Sequence, residues 1–372
     1  MANINDYIKW RGDLPINKEY KLNILDSMVF SRVSYLKLFK VKLNKKETIK
    51  SISDKVKDFK ESDFLWKDDK ELIKLLGESS RFKNLIISDY VNKEDKKIEK
   101  QFGALTIHLP NNELYISYIG TDNSIFGWKE DFNMGFMGYV PCQISGKEYL
   151  EMIAKKYPSK KIRIGGHSKG GNVAIFSAVT VSKDIQERII KVDNFDGPGF
   201  NKQIIDNYFK GKIVNKIETF IPQESIIGRA LYHKEKTTIT LSNSKGLLEH
   251  DIYSWEVLKD DVIKSKNNTQ ISENLNNTFD VWIETTTPEQ RKIFFESVFE
   301  LLYGTEYETF SDIYKNLSVS IPKILKKYKN LTPEDRKITT HMIKILATTY
   351  LNNVKENQKE KHNNRKNKNR DK

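Results

Sequence analysis

The sequence predicts an α/β fold with a mostly parallel sheet carrying helices on both faces, set between an N-terminal helical segment and a C-terminal helical extension. Three observations predict it. Between Gly146 and Ile221, amphipathic helical patterns alternate with short apolar runs, the pattern of strands joined by crossover helices. Upstream of about Tyr90, apolar residues recur at helical spacing. Downstream of Trp255, helical patterns return behind two strongly marked helix starts.

The chain has 372 residues, 38% hydrophobic and 11% aromatic, enough to bury a large core and too apolar for a disordered or collagen-like protein. Residues 1–95 form the N-terminal segment, read as helical from about Glu19 to Tyr90, with Leu25, Met28, Val29, Val33 and Leu36 on one stripe and Leu72, Ile73, Leu75 and Leu76 on another. Residues 96–260 form the core. It opens with the strand patterns Gln101 to Leu109 and Glu113 to Ile119, which flank a Pro110-Asn111-Asn112 turn suited to a hairpin. Helices are expected at Glu148 to Lys156, Asn172 to Val181 and Lys202 to Phe209, between apolar runs at Lys161 to Ile164, Ile189 to Phe195 and Lys212 to Ile221.

Residues 261–354 form the C-terminal helical region. Thr287-Pro288-Glu289-Gln290 and Thr332-Pro333-Glu334-Asp335 each place a capping hydroxyl before a proline at the first helical position. They predict helices from about Pro288 to Tyr303, stopped by Gly304, and from about Pro333 to Asn352. Residues 355–372 carry eight Lys or Arg against three Asp or Glu and almost no apolar groups, so they are expected to be a disordered basic tail. Such a tail attracts anionic surfaces weakly and without sequence preference. It lacks interleaved aromatics for stacking on bases, so no specific nucleic-acid partner is expected.

The lone Cys142 allows no internal disulfide, and the sequence shows neither a secretory leader pattern nor a membrane-spanning apolar run. A cytoplasmic location is the expectation.

Chemistry concentrates in Lys160 to Val179, where Gly166-His167-Ser168-Lys169-Gly170 matches G-x-S-x-G between an apolar run and a helical pattern. A serine on a sharp strand-to-helix turn needs strained backbone angles and small neighbours, the arrangement of the nucleophile elbow in an α/β-hydrolase. Ser168 is therefore the candidate nucleophile, with the Lys169 N–H at the helix start as an oxyanion donor.

A nucleophilic serine needs an imidazole base oriented by a carboxylate, and in this fold the chain order is serine, acid, histidine. Of six histidines, that order excludes His108 and His167. His233 lies in a charged turn, His341 inside a helix and His362 in the tail, which leaves His250. Two carboxylates compete for the acid. Asp196 ends a strand-like run among apolar and turn residues, and Glu224 follows the next run among polar ones. Asp196 ranks first, because a carboxylate in apolar surroundings needs a partner. The second oxyanion donor is sought after the strand ending Tyr118-Ile119-Gly120, where Thr121 or Asp122 offers a backbone N–H and Thr121 a hydroxyl.

Taken together, WRGDLP, EKQFGALTIHLPNNELYISYIGTD, GWKEDFNMGF, GGHSKGGNVAIFSA, NFDGPGFN, IPQESIIG and EHDIYSW resemble the Mbeg-like family, bacterial proteins of unknown function with a distant similarity to class 3 lipases. The resemblance spans about Ile4 to Val257 and implies an α/β-hydrolase core. A lipase strand ending in Gly-Thr is matched by Gly120-Thr121, which carries Thr121 over as an oxyanion residue and Ser168 as nucleophile. The lipase acid position is matched by Glu224, and Asp196 stands where those lipases have glycine, so both carboxylates stay in play.

The expected function is a serine hydrolase of esterase, lipase or thioesterase type, acting on an acyl-ester or lipid-like small molecule with neither metal nor cofactor. The alternative is a catalytically silent hydrolase scaffold that binds a lipid, peptide or protein. The cluster Trp128, Phe132, Met134, Phe136 and Met137 is read as either an acyl pocket or lid, or a buried hydrophobic cluster.

Overall fold

A computed structural model describes residues 2–266 and 268–368 of the chain. Eight strands form one sheet in the order of the chain: β1 (Lys46–Thr48), β2 (Ile86–Asp95), β3 (Lys100–Leu109), β4 (Glu113–Tyr118), β5 (Lys161–His167), β6 (Ile189–Phe195), β7 (Ile217–Pro222) and β8 (Lys236–Thr240). The first four pair antiparallel, and from β4 to β8 every pairing is parallel.

The helices are α1 (Ile4–Arg11), α2 (Ile24–Val33), α3 (Ile49–Val56), α4 (Asp69–Glu78), α5 (Ile125–Asn133), α6 (Pro141–Lys156), α7 (Lys169–Thr180), α8 (Lys183–Arg188), α9 (Lys202–Tyr208), α10 (Gln270–Thr285), α11 (Pro288–Tyr303), α12 (Phe310–Lys315), α13 (Leu317–Asn330) and α14 (Pro333–Lys368). Helices fill the chain between β4 and β5, β5 and β6, and β6 and β7, which is what lets those strands run parallel.

Side-chain alternation sorts the sheet into two faces. On β4, Leu114, Ile116 and Tyr118 pack with Leu150, Ile153, Val173 and Ala174 of α6 and α7, whereas Tyr115 packs with Leu25, Met28 and Val29 of α2. Ser117 repeats the second direction by donating to the Phe30 carbonyl at 3.0 Å. The N-terminal segment therefore covers one face of the sheet and α6–α7 the other. The turn at Asn111 and Asn112 forms with both residues left-handed (φ 61° and 63°), a conformation asparagine tolerates.

Three expectations are corrected. The stretch read as helical to Tyr90 ends in a strand, because β2 pairs with β3 from Ile86 onward. Its period of two is hidden by a bulge between Ser88 and Val91, where Asp89 turns left-handed (φ 55°) and accepts from the Ser88 and Tyr157 hydroxyls at 2.7 and 3.2 Å. Second, α6 starts at Pro141, seven residues before the expected Glu148, with Pro141 at its first position. Third, α14 does not stop near Asn352 but continues through Lys355 to Lys368. Its polar Lys, Gln and Glu residues are good helix formers once a packed helix has been nucleated, and Asn353 anchors it by donating to the Asn274 carbonyl of α10 at 3.2 Å. The end of the tail, residues 369–372, lies outside the described residues. The start of α11 forms as expected, with a capping box between Thr287 and Gln290 and Gly304 at its end. No helix among the described residues is long and apolar enough to cross a membrane.

Candidate active site

β5 delivers Ser168 to its place. Directly after His167 the chain reverses into α7, and Ser168 takes φ 60° and ψ −135°, a strained region for a residue with a side chain. The strain is held by close packing. A Cβ on Gly166 would collide with the Gly170 backbone, and one on Gly170 with the Tyr118 carbonyl, so strand, turn and helix meet only because both residues are glycine. The Ser168 N–H donates to the Phe195 carbonyl at 2.9 Å, tying the turn to β6. Ser168 is 4% exposed and borders a cavity of about 190 Å³ that it shares with His250, Thr121, Trp128, Tyr35 and Trp66.

The same register positions the Asp196 carboxylate. His167 pairs with Phe195 across the sheet, so Ser168 and Asp196 leave adjacent strand ends side by side. Asp196 is fully buried and also left-handed, at φ 54°. Its Oδ2 lies 2.7 Å from His250 Nδ1, and its Oδ1 accepts from the Ser225 hydroxyl at 2.5 Å. Because the carboxylate takes up Nδ1, the imidazole carries its proton there and presents Nε2 as the basic nitrogen. Ser168 and His250 form no direct hydrogen bond among the described residues, a looseness common before substrate is bound. Glu224 is placed elsewhere: its N–H donates to Glu249 Oε2 at 2.6 Å, and Asp196 holds the imidazole.

His250 closes a short 3-10 turn (Gly246–His250), and three contacts hold this turn in place. The buried Trp255 indole donates to the Glu249 carbonyl at 2.9 Å, and Tyr253 donates to Asp69 at 2.7 Å. The third contact comes from His167, whose Nε2–H donates to the His250 carbonyl at 2.7 Å while its ring lies 4.5 Å from the His250 ring. Since a carbonyl only accepts, Nδ1 of His167 is the acceptor nitrogen, facing the Tyr35 hydroxyl at 3.2 Å.

Burial, then His250 and Arg32, push the His167 pKa well below its usual value, so the ring stays neutral. The folded-state value thus lies below the unfolded one of about 6.5, so the stability His167 contributes is full above about pH 6.5 and is lost as pH falls through that range. The urea-stability gap between wild type and His167→Asn should therefore be widest near neutral pH and narrow as pH falls toward about 5. A constant gap would mean that His167 is not held neutral.

On the other side of Ser168, Thr121 donates its hydroxyl to Asp131 Oδ2 at 2.5 Å. The Asp122 N–H is directed at Gln101 Oε1 at 3.4 Å, which leaves the Thr121 N–H as the less committed donor. The Lys169 N–H, at the first position of α7, has no acceptor within the helix. The Lys169 side chain turns inward, 3.1 Å from Glu130 Oε2 and 3.5 Å from Asp131 Oδ1. Burial alone would lower its pKa, and the two carboxylates turn the shift upward. Burial lifts the Asp131 carboxyl to about 6. Glu130 also accepts the Gln101 and Cys142 N–H groups at 2.9 and 2.8 Å, so α5, β3, α6 and the elbow converge on one buried cation.

Sequence reasoning missed Glu130, Asp131, Tyr35, Trp66 and the bracing role of His167. Only Lys169 carried a signal, since a lysine beside a glycine-rich elbow has no room to reach solvent. Arg32 props the N-terminal wall, with its guanidinium 4.2 Å from the Trp66 ring and an ion pair to Asp69 at 2.6 Å. Among the described residues no cluster of His, Cys, Asp and Glu has the makings of a metal site.

A mostly parallel sheet, a strained serine between β5 and α7, and a histidine–carboxylate pair beside it at the carboxyl ends of the strands define an α/β-hydrolase fold. The chain belongs to the Mbeg1-like family, which it matches over residues 76–300. Among solved structures it is similar to a propeptide complex of the Rhizomucor miehei lipase, with 12% identity, a TM-score of 0.41, and coverage of 67% of this chain and 81% of that one. It is also similar to lipase II of Rhizopus niveus (11% identity, TM-score 0.36, coverage 57% and 77%) and to the Lip2 lipase of Yarrowia lipolytica (12%, 0.31, 50% and 74%). No curated protein sequence matches the chain.

Proposed function

We propose that the protein is a serine hydrolase that cleaves the acyl-ester bond of a lipid-like small molecule. The observation that carries this reading is the 2.7 Å contact between His250 Nδ1 and Asp196 Oδ2 in the cavity that Ser168 borders. A carboxylate so placed fixes the tautomer and stabilises the imidazolium that forms when Nε2 takes a proton.

In this mechanism Ser168 Oγ attacks the acyl carbonyl and passes its proton to His250 Nε2. The oxyanion is met by the N–H groups of Lys169 and Thr121, and Asp122 serves only if its hold on Gln101 loosens. His250 then protonates the leaving alcohol. Water, deprotonated by the same nitrogen, releases the acid from the acyl-serine. Glu224 stands outside this relay. A cytoplasmic location and weak attraction of the basic C-terminal residues to anionic surfaces belong to the same proposal.

The test is twofold. A fluorophosphonate should label Ser168 covalently, and Ser168→Ala should lose both the label and turnover of p-nitrophenyl acyl esters, by about a millionfold in kcat where the whole catalytic unit is disabled. A wild-type protein inert to the probe and to esters, thioesters and phospholipids would leave only the scaffold.

A further inference from the structure

A second cavity adjoins the catalytic one. It encloses about 180 Å³ between the elbow side of the molecule and the C-terminal helices. Trp128 of α5 borders both cavities, and Pro198, two residues past Asp196, borders the second. Ala230, in the loop after β7, forms another wall, and Trp282 and Ile283 of α10 with Phe295 of α11 complete it. The lining is apolar except for Asp131, whose Oδ2 is taken by Thr121 and whose Oδ1 faces Lys169.

So apolar a lining suits an apolar molecule better than ordered water, which needs two to four polar partners. Trp128 walls both this cavity and the one that Ser168 borders, so the space for an apolar group lies directly beside the candidate nucleophile's cavity.

We infer that this second cavity takes the hydrocarbon chain of the substrate's acyl group, with Trp128 at the junction and α10 and α11 setting the chain length accepted. The inference rests on the hydrolase reading for the ester and adds the substrate class, medium to long unbranched acyl esters. The carbonyl lies at Ser168 and the chain passes Trp128, so the C-terminal helices act in specificity while touching none of the reacting atoms. Each buried methylene adds to the discrimination, so a filled cavity penalises long chains and spares short ones.

Ala230→Phe, and independently Ile283→Trp in case the first variant does not fold, should test this with two readouts. The wild type should hydrolyse p-nitrophenyl decanoate with a kcat/KM at least about tenfold above that for the acetate. Each variant should lose at least about tenfold on decanoate while keeping acetate within about twofold. The fluorescence enhancement of cis-parinaric acid, which needs no turnover, should be strong in the wild type and weakened about tenfold in both variants. Parallel loss on both esters, or parinarate binding unchanged in the folded variants, overturns the chain site. If no ester is turned over but parinarate binds and the variants lose it, the hydrolase reading falls and the chain site stands. If Ser168-dependent turnover shows no chain-length preference and parinarate does not bind, the reverse holds.

Discussion

Asp196→Asn should lower kcat for acyl-ester hydrolysis by about ten-thousandfold while leaving the fold and KM nearly unchanged. The amide is close in size to the carboxylate, so the buried position between Ser225 and His250 stays filled. What changes is the charge and the hydrogen-bond polarity. An amide NH₂ facing Nδ1 would favour the tautomer protonated on Nε2, the nitrogen that must receive the Ser168 proton. An amide oxygen facing it would keep the tautomer but not the stabilisation of the imidazolium.

Glu224→Gln supplies the contrast. Its N–H is tied to Glu249, and the substitution leaves that backbone bond in place, so kcat should stay within about threefold. Steady-state kinetics on one ester with both variants decides the matter. Equal losses, or a larger loss for Glu224→Gln, would move the acid to the later strand. Ser225→Ala should fall between them, at about tenfold, because it removes one hydrogen bond from Asp196 and leaves its charge.

The parts of this site that were legible in the sequence are those with local signatures. Gly166, Ser168 and Gly170 announce a turn because their spacing and size constrain the backbone directly. The capping box at Thr287 is legible for the same reason, as is the double-asparagine turn at Asn111 and Asn112. Asp196 could be ranked above Glu224 only by its apolar neighbours, since the deciding fact is the register between β5 and β6, which places Ser168 and Asp196 side by side. Register is a property of pairing between distant segments, and where both faces are buried, as at the ends of β5 and β6, no alternation within either segment marks it.

The strand character of β2 was hidden for a related reason: the bulge at Asp89 breaks the period on which recognition depends. Tyr35 and Trp66 stayed invisible as wall residues because they reach the cavity through the packing of Arg32 against Asp69. An aromatic residue in a helical segment reads equally well as core.

Lys169→Met should destabilise the protein by about 3–5 kcal/mol, the usual consequence of removing one partner from a buried charged cluster. In a chain of this size that lowers Tm on the order of 10 °C. The thioether chain nearly fills the volume of the lysine stem, so the loss reports charge more than packing. Without the ammonium, Glu130 and Asp131 face each other in a site that excludes water, and at neutral pH at least one of them must take up a proton for the chain to fold.

That requirement sets the pH dependence. Asp131 is already lifted to about 6 by burial with Lys169 present, and removing the cation raises it further. A carboxyl whose folded-state pKa lies above its unfolded value of about 4 contributes stability below that unfolded value and loses it as pH rises through the folded one. The deficit of Lys169→Met should therefore be greatest near about pH 8 and shrink toward about pH 5, as read by urea midpoints at stepped pH. Because Thr121 hangs on Asp131 by its hydroxyl, the same variant should also lose ester turnover near neutral pH, through displacement of the Thr121 loop from the Ser168 cavity. Glu130→Gln added to Lys169→Met should restore part of the stability by removing one of the stranded charges. If the double variant is no more stable than Lys169→Met, the cluster is held by shape and not by charge.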